Sequence, residues 1–439
     1  MSLDRSPSLP EVYRSISIPD RKGFWRKLIA YSGPGYLVSV GYIDPGNWAT
    51  GIAGGARFGY TLLSVILLSN LMAVVLQSLC VRLGVATGKD LAQLCRDSFP
   101  PAISFTLWVL CEIAITACDL AELLGGAIAL NLLFGLPLLW GVCIMAADVF
   151  VLLFLQGRGF RYVEAFIIFL VITVGICFLA EILFASPNIG DILKGYVPNA
   201  AILRNPQMTY LAIGILGATV MPHNLYLHSS IVQTRAWRTT VDKKREAITF
   251  GTIDSTIALS FALLINSAIL IVSAATFHLS GHENVAEIQS AYRLLSPLLG
   301  AGAASLLFGL ALLASGQSST LTATLAGQIV MEGFLNFRLP SWLRRLITRL
   351  FAIVPAILTI VFFGESSTGQ LLIFSQVVLS LQLPFAVVPL VMFTGDKKLM
   401  GALVNPRPLR VLAWAVTTII LGLNGWLLLG SFFAVFHSS

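Results

Sequence analysis

Charge is the scarcest ingredient of this chain. Of its 439 residues only 11% are Asp, Glu, Lys or Arg, while 56% are apolar, and mean hydropathy is +0.85. Soluble globular domains are about 25% charged, so this chain cannot cover itself with an ordinary wet surface. Cysteine patterns are missing too. Cys80, Cys111, Cys118, Cys143 and Cys177 lie in apolar runs and Cys95 in a polar link, and none forms a CxxC pair. That argues against a disulfide framework or a zinc site and leaves thiols behaving as small hydrophobes. The five histidines, His223, His228, His278, His282 and His437, form no HExxH, which removes the membrane metalloprotease reading. The chain is expected to be no enzyme and to need no resident cofactor. No Asn-x-Ser/Thr sequon occurs, favouring a bacterial plasma membrane over a glycosylated surface. Residues 1–30 lack the apolar core of a signal peptide. They read as a cytoplasmic tail, flexible through Lys27, ahead of one membrane domain over 31–439.

What is present is a succession of long apolar runs. About 20 residues cross the hydrocarbon at 1.5 Å per residue. Eleven runs reach roughly that length: 32–55, 60–83, 102–133, 137–156, 162–186, 208–233, 247–277, 297–316, 343–363, 369–394 and 409–434. The expectation is an all-α polytopic membrane protein embedded in the lipid bilayer, with nothing that demands more than a monomer.

The net charge is +7, but its distribution excludes a nucleic-acid partner. If the N-terminus is inside, 24 of the 28 Lys and Arg fall on the cytoplasmic side; only Arg57, Lys194, Arg204 and Arg293 fall outside. That bias is the positive-inside rule, which predicts a cytoplasmic N-terminus and an external C-terminus.

Two runs carry residues that hydrocarbon does not tolerate lightly. Asp44-Pro45-Gly46-Asn47 interrupts the first and Met221-Pro222-His223 the sixth. A carboxylate at the midplane costs about 2.5–3.5 kcal/mol on lenient scales, and Pro removes a helix donor. Such backbone survives only where protein or a polar cavity shelters it. Five crossings separate the two breaks, so the halves run in opposite senses. This predicts an inverted repeat of five plus five helices (32–186 and 208–394), helices one and six broken at the midplane, and an appended eleventh helix over 409–434. Alternating access suits opposed broken helices better than a channel does.

The ligands at the breaks differ in kind. Asp44 brings a hard anionic oxygen and Asn47 a neutral one, while Pro45 and Gly46 unwind the chain and free carbonyls. At the second break the Ala218 carbonyl is free to bind, Met221 brings a soft thioether, and His223 is titratable. A thioether is of little use to sodium, calcium or magnesium, so the mixed shell suits first-row divalent metals. A sodium-coupled amino-acid carrier would have no use for Met221 facing Asp44.

These signatures resemble those of the natural resistance-associated macrophage protein (Nramp) family. Gly316-Gln317-Ser318-Ser319-Thr320, continuing through Ala326-Gly327-Gln328 to Met331-Glu332-Gly333, is similar to that family's transport motif, expected after the eighth helix. The resemblance covers about residues 30–435. It implies the leucine-transporter-type fold and proton-coupled uptake of divalent transition metals, chiefly manganese and iron. It further implies that Asp44, Asn47, Met221 and the Ala218 carbonyl hold the metal, with Gln376 on the tenth helix able to close over it.

Proton handling needs other groups. Glu112, Asp119 and Glu122 fall at spacings of seven and three, one face of the third helix. Three carboxyls on one intramembrane stripe cannot all be ionised cheaply, so they are expected, with His223, to relay protons. Arg344 and Arg345 read either as counter-charges at a cytosolic exit or as topology determinants. Asp148 and Asp254 are expected to support helix breaks, Asn266 to bond between helices, and His278 and His282 to lie in a solvated external loop.

Overall fold

The computed structural model describes residues 8–437 apart from 11, 20–22, 148–157, 286, 336–340 and 364–367. The described chain is almost entirely helical. A short helix α1 (Phe24–Tyr31) leads into a first broken helix, α2 (Pro34–Gly41) and α3 (Pro45–Phe58), followed by α4 (Leu63–Thr87). The small helix α5 (Leu91–Ser98) precedes α6 (Pro101–Phe134), α7 (Leu138–Ala146) and α8 (Phe160–Ala185). A second broken helix comprises α9 (Pro206–Thr219) and α10 (Pro222–Ile231). Then come α11 (Val241–Ser273), α12 (Ile288–Leu299), α13 (Ala304–Leu335), α14 (Ser341–Phe363), α15 (Thr368–Gly395) and α16 (Arg407–His437). Among the described residues seven helical stretches are long and apolar enough to cross a membrane. The rest of the expected fourth span, Asp148 included, lies outside the described residues.

The helices are sided as a bilayer requires. On α8, Phe169, Ile172, Ile176, Leu179 and Leu183 recur at three- and four-residue steps and are exposed, whereas Glu164 and Glu181 are buried. The outside is greasier than the inside, the reverse of a soluble helix. The two broken helices run through the middle. α11 packs against α2, α3 and α4, α15 against α6 and α9, and α13 against α6, α8 and α10. Trp48, just past the first break, is fully buried with its ring 4.8 Å from Phe178 and 5.1 Å from Phe308, centroid to centroid.

Three expectations are corrected. The eighth span does not cover 297–316: residues 288–299 form the separate amphipathic α12, and α13 runs to Leu335, so Gly316–Gly333 lies inside the helix rather than after it. Its Ser, Thr, Gly and Gln lower the hydropathy of the run, but small residues are what a helix needs to pack closely inside a membrane bundle. His278 is half-buried, its Nδ1 3.0 Å from the Ala56 carbonyl at the end of α3, rather than in a free loop. The N-terminal tail is also less free than its composition suggests. Residues 16–17 form β1, which pairs in parallel with β2 (Arg235–Ala236), and Ser8 and Leu9 are buried.

Candidate functional site

Both breaks follow from proline at the first position of the outgoing helix. Pro45 and Pro222 each start a helix, where the missing N–H is no loss. The carbonyl four residues earlier, Gly41 at the first break and Ala218 at the second, loses its helical donor. At the first break Asp44 serves as N-cap, its carboxylate accepting from Gly46 N (3.2 Å) and Asn47 N (3.0 Å). The Ile43 carbonyl accepts from Trp48 Nε1 (3.1 Å) and from Ser315 Oγ of α13. Asp44 is fully buried, and most of the donors that hold its carboxylate come from the next three residues.

The second break meets the first through one side chain. Asn47 Nδ2 donates to Asp44 Oδ1 at 2.8 Å and to the Ala218 carbonyl at 2.9 Å. The amide hydrogens lie between an anionic and a neutral oxygen from opposite repeats, where a cation would find the same two ligands. Gln376 on α15 completes the enclosure, its Nε2 3.4 Å from Asp44 Oδ2. Two glycines permit this approach. A Cβ on Gly46 would come within 1.8 Å of Gln376 Nε2, and one on Gly217 within 2.1 Å of the Gln376 carbonyl. Met221 is the residue before Pro222, fully buried, with no side-chain cap to offer α10. Thus Asp44, Asn47, Ala218 and Gln376 form one hydrogen-bonded cluster, with Met221 in the same break.

Around it the other expected residues are distributed unevenly. Asp119 and Glu122 are buried on α6, while Glu112 is only half-buried and accepts from Trp108 Nε1 at 2.9 Å. Cys118 is buried on the same helix. Its Sγ is 3.5 Å from Glu122 Oε1. His223 is buried and its Nδ1 has no hydrogen-bond partner among the described residues. Arg344 and Arg345 fall on the first turn of α14, but their side chains lie outside the described residues. Asp254 supports the start of α2, accepting from Gly33 N (3.3 Å) and Gly35 N (2.7 Å), and Asn266 donates to the Tyr42 carbonyl at 2.6 Å.

Sequence reasoning missed a second polar layer, closer to the end of the bundle that carries α1. His228 Nδ1 donates to Gln77 Oε1 at 2.8 Å, and Gln77 Nε2 donates to the Tyr42 hydroxyl. The signal available was a lone Gln in the apolar run of α4. Beyond this layer, Arg235 reaches across to Glu164 at 2.6 Å, both buried.

Sequence and fold both match known proteins. The profile described as natural resistance-associated macrophage protein-like matches residues 35–430. The divalent metal cation transporter MntH of Nostoc sp. is 74% identical over 428 residues, covering 98% of this chain and 97% of that protein. MntH of Mesorhizobium japonicum is 60% identical over 433 residues, covering 98% and 95%. The crystal structure of the Eremococcus coleocola manganese transporter, in complex with an aromatic bis-isothiourea substituted compound, superposes with TM-score 0.88 at 41% identity, over 95% of this chain and 90% of that one. Mhp1, a nucleobase-cation-symport-1 family transporter, shares the fold at TM-score 0.62 and 16% identity, over 97% of this chain and 91% of that one. The chain is a multi-pass membrane protein of leucine-transporter-type fold, and it belongs to the natural resistance-associated macrophage protein (Nramp) family.

Proposed function

We propose that this protein imports divalent transition-metal ions, manganese and iron foremost, together with protons by alternating access. It does so across the plasma membrane of a bacterium, with the N-terminus cytoplasmic and the C-terminus external. The observation that carries the reading is the Asn47 amide bridging Asp44 and the Ala218 carbonyl. Rotating that amide presents Asn47 Oδ1, so that Asp44, Asn47, the Ala218 carbonyl and Met221 converge on a metal with Gln376 closing over it. The names of the MntH relatives and of the manganese transporter support the cargo. Asp44 supplies charge, and Met221 supplies a bond that scarce transition metals use better than calcium or magnesium do. Protons pass by His223 and the Glu112, Asp119 and Glu122 stripe towards Arg344 and Arg345.

Uptake of radioactive manganese into proteoliposomes tests the reading. Uptake should saturate at low metal concentration and accelerate when the outside is made acidic; linear, pH-indifferent flux would point to a channel. Orientation has its own test in intact cells, where an external maleimide should label Ser439→Cys and spare Thr240→Cys.

A further inference from the structure

We propose that residues 12–17, together with Ser8 and Leu9, are a strap that latches the cytoplasmic exit shut and must undock from β2 each time the exit opens. The inference rests on the alternating-access reading and orientation above, but concerns a different part of the chain. The strap is stitched at both ends. The Ser8 hydroxyl donates to Asp90, the buried N-cap of α5. Burial pushes the Asp90 carboxyl up to about 6, so this group is already short of water, and the Ser8 hydroxyl is one of the few donors opposing that. Leu9 is 5% exposed, and with Tyr13 it lines a small cavity against Ser230 of α10 and Gln233 and Thr234 of the turn that follows. Arg14 N donates to the Gln233 carbonyl at 3.0 Å, and the Arg14 guanidinium donates to the Trp237 carbonyl. Ile16 then pairs with Arg235 and Ser17 with Ala236.

The position of β2 gives those bonds their consequence. Arg235 is 1% exposed and holds three elements at once: Glu164 on α8 (2.6 Å), Thr234 (2.8 Å) and the Ser32 carbonyl between α1 and α2. Arg161 on α8 grips the same corner through the Ala30 and Ser32 carbonyls, both at 2.8 Å. The inner halves α2 and α10 are packed so closely that a Cβ on Gly41 would stand 2.3 Å from Asn224 Nδ2. Cargo released to the cytoplasm has to pass between these halves, so α2 must leave α10 and the Ser32 corner must leave Arg235. The strap fixes the main chain of Arg235 itself, so opening is resisted for as long as β1 stays paired.

Paired strands lie about 4.7–4.9 Å apart, within the Cα separation a disulfide accepts. Ser17→Cys with Ala236→Cys, in full-length protein whose own cysteines are replaced, should therefore cross-link. The oxidised protein should still bind manganese, seen as thermal stabilisation in detergent, while proteoliposome uptake falls about tenfold or more and recovers with reductant. Uptake by the cross-linked protein as fast as by its dithiol form would overturn the strap. A second readout needs no metal. Ile16→Pro or, separately, deletion of residues 1–18 should raise labelling of Asn224→Cys from the cytoplasmic face several-fold. Unchanged labelling in both would also overturn the proposal. Loss of manganese binding in every variant, reduced protein included, would instead count against the metal-transport reading.

Discussion

The two helix breaks share a backbone device and differ in how they satisfy themselves. Each places proline at the first position of the outgoing helix and frees a carbonyl four residues back. At the first break the polar groups are occupied. Asp44 caps Gly46 and Asn47, and the Ile43 carbonyl has two donors. At the second the Ala218 carbonyl is held by Asn47, but other groups are not. Met221 offers no cap, and Thr219 Oγ1, His223 Nδ1 and both amide atoms of Asn224 are buried with no hydrogen-bond partner among the described residues. Buried groups left unsatisfied are costly and concentrate where function needs them. The first break is thus a preset anionic seat, and the second a set of uncommitted groups that can respond to what arrives.

The largest effect should come from breaking the preset seat. Asp44→Ala removes the acidic ligand and the cap of α3 together, and should abolish uptake of every metal. The lost cap should also cost about 1 kcal/mol of stability, read as a lower Tm without metal. Wild-type manganese uptake in this variant would defeat the assignment.

The next test leaves every ligand in place. Gly46→Ala adds a methyl where Gln376 Nε2 lies 1.8 Å away. Gln376 must then withdraw, so uptake should fall on the order of tenfold while equilibrium manganese binding falls far less. Equal loss of both would make Gln376 a binding ligand rather than a cover.

Asp119→Asn probes the route away from the seat. It keeps the shape of the side chain and removes its proton chemistry, so the dependence of uptake on external pH should flatten while metal binding persists. Full pH dependence in the variant would remove Asp119 from the relay.

The smallest change in rate, and the most selective, is expected at the second break. Met221→Ala should lower manganese uptake only a few-fold, because oxygen ligands and water take the place of sulfur. Competition by calcium and magnesium should rise, since hard ions prefer that exchange. If their competition is unchanged, selectivity lies in the geometry set by Asn47 and Gln376.

Much of the candidate site could be read in advance because its determinants are local. Proline frees the carbonyl four residues back wherever the helix sits, so Pro222 alone marks Ala218. Charge inside an apolar run likewise marks Asp44 without any knowledge of its neighbours. The stripe of Glu112, Asp119 and Glu122 was visible from helical spacing, but not that Glu112 is half-buried and bonded to Trp108. The eighth helix was misplaced because hydropathy penalises the Ser, Thr and Gly that let α13 pack against α6 and α8. Gln77, Tyr42 and His228 were passed over because each is an unremarkable residue in its own helix.

By itself the sequence determined where this chain is apolar, where its helices must break and which atoms those breaks release. These depend on composition and on contacts within one helical turn. Only the tertiary structure decided that Asn47 reaches Ala218, 171 positions away, that Gln376 covers Asp44, 332 positions away, and that a polar tail docks on β2. Those pairings arise from the packing of distant helices and from glycines at 46 and 217 small enough to allow it, and no local rule of spacing contains them.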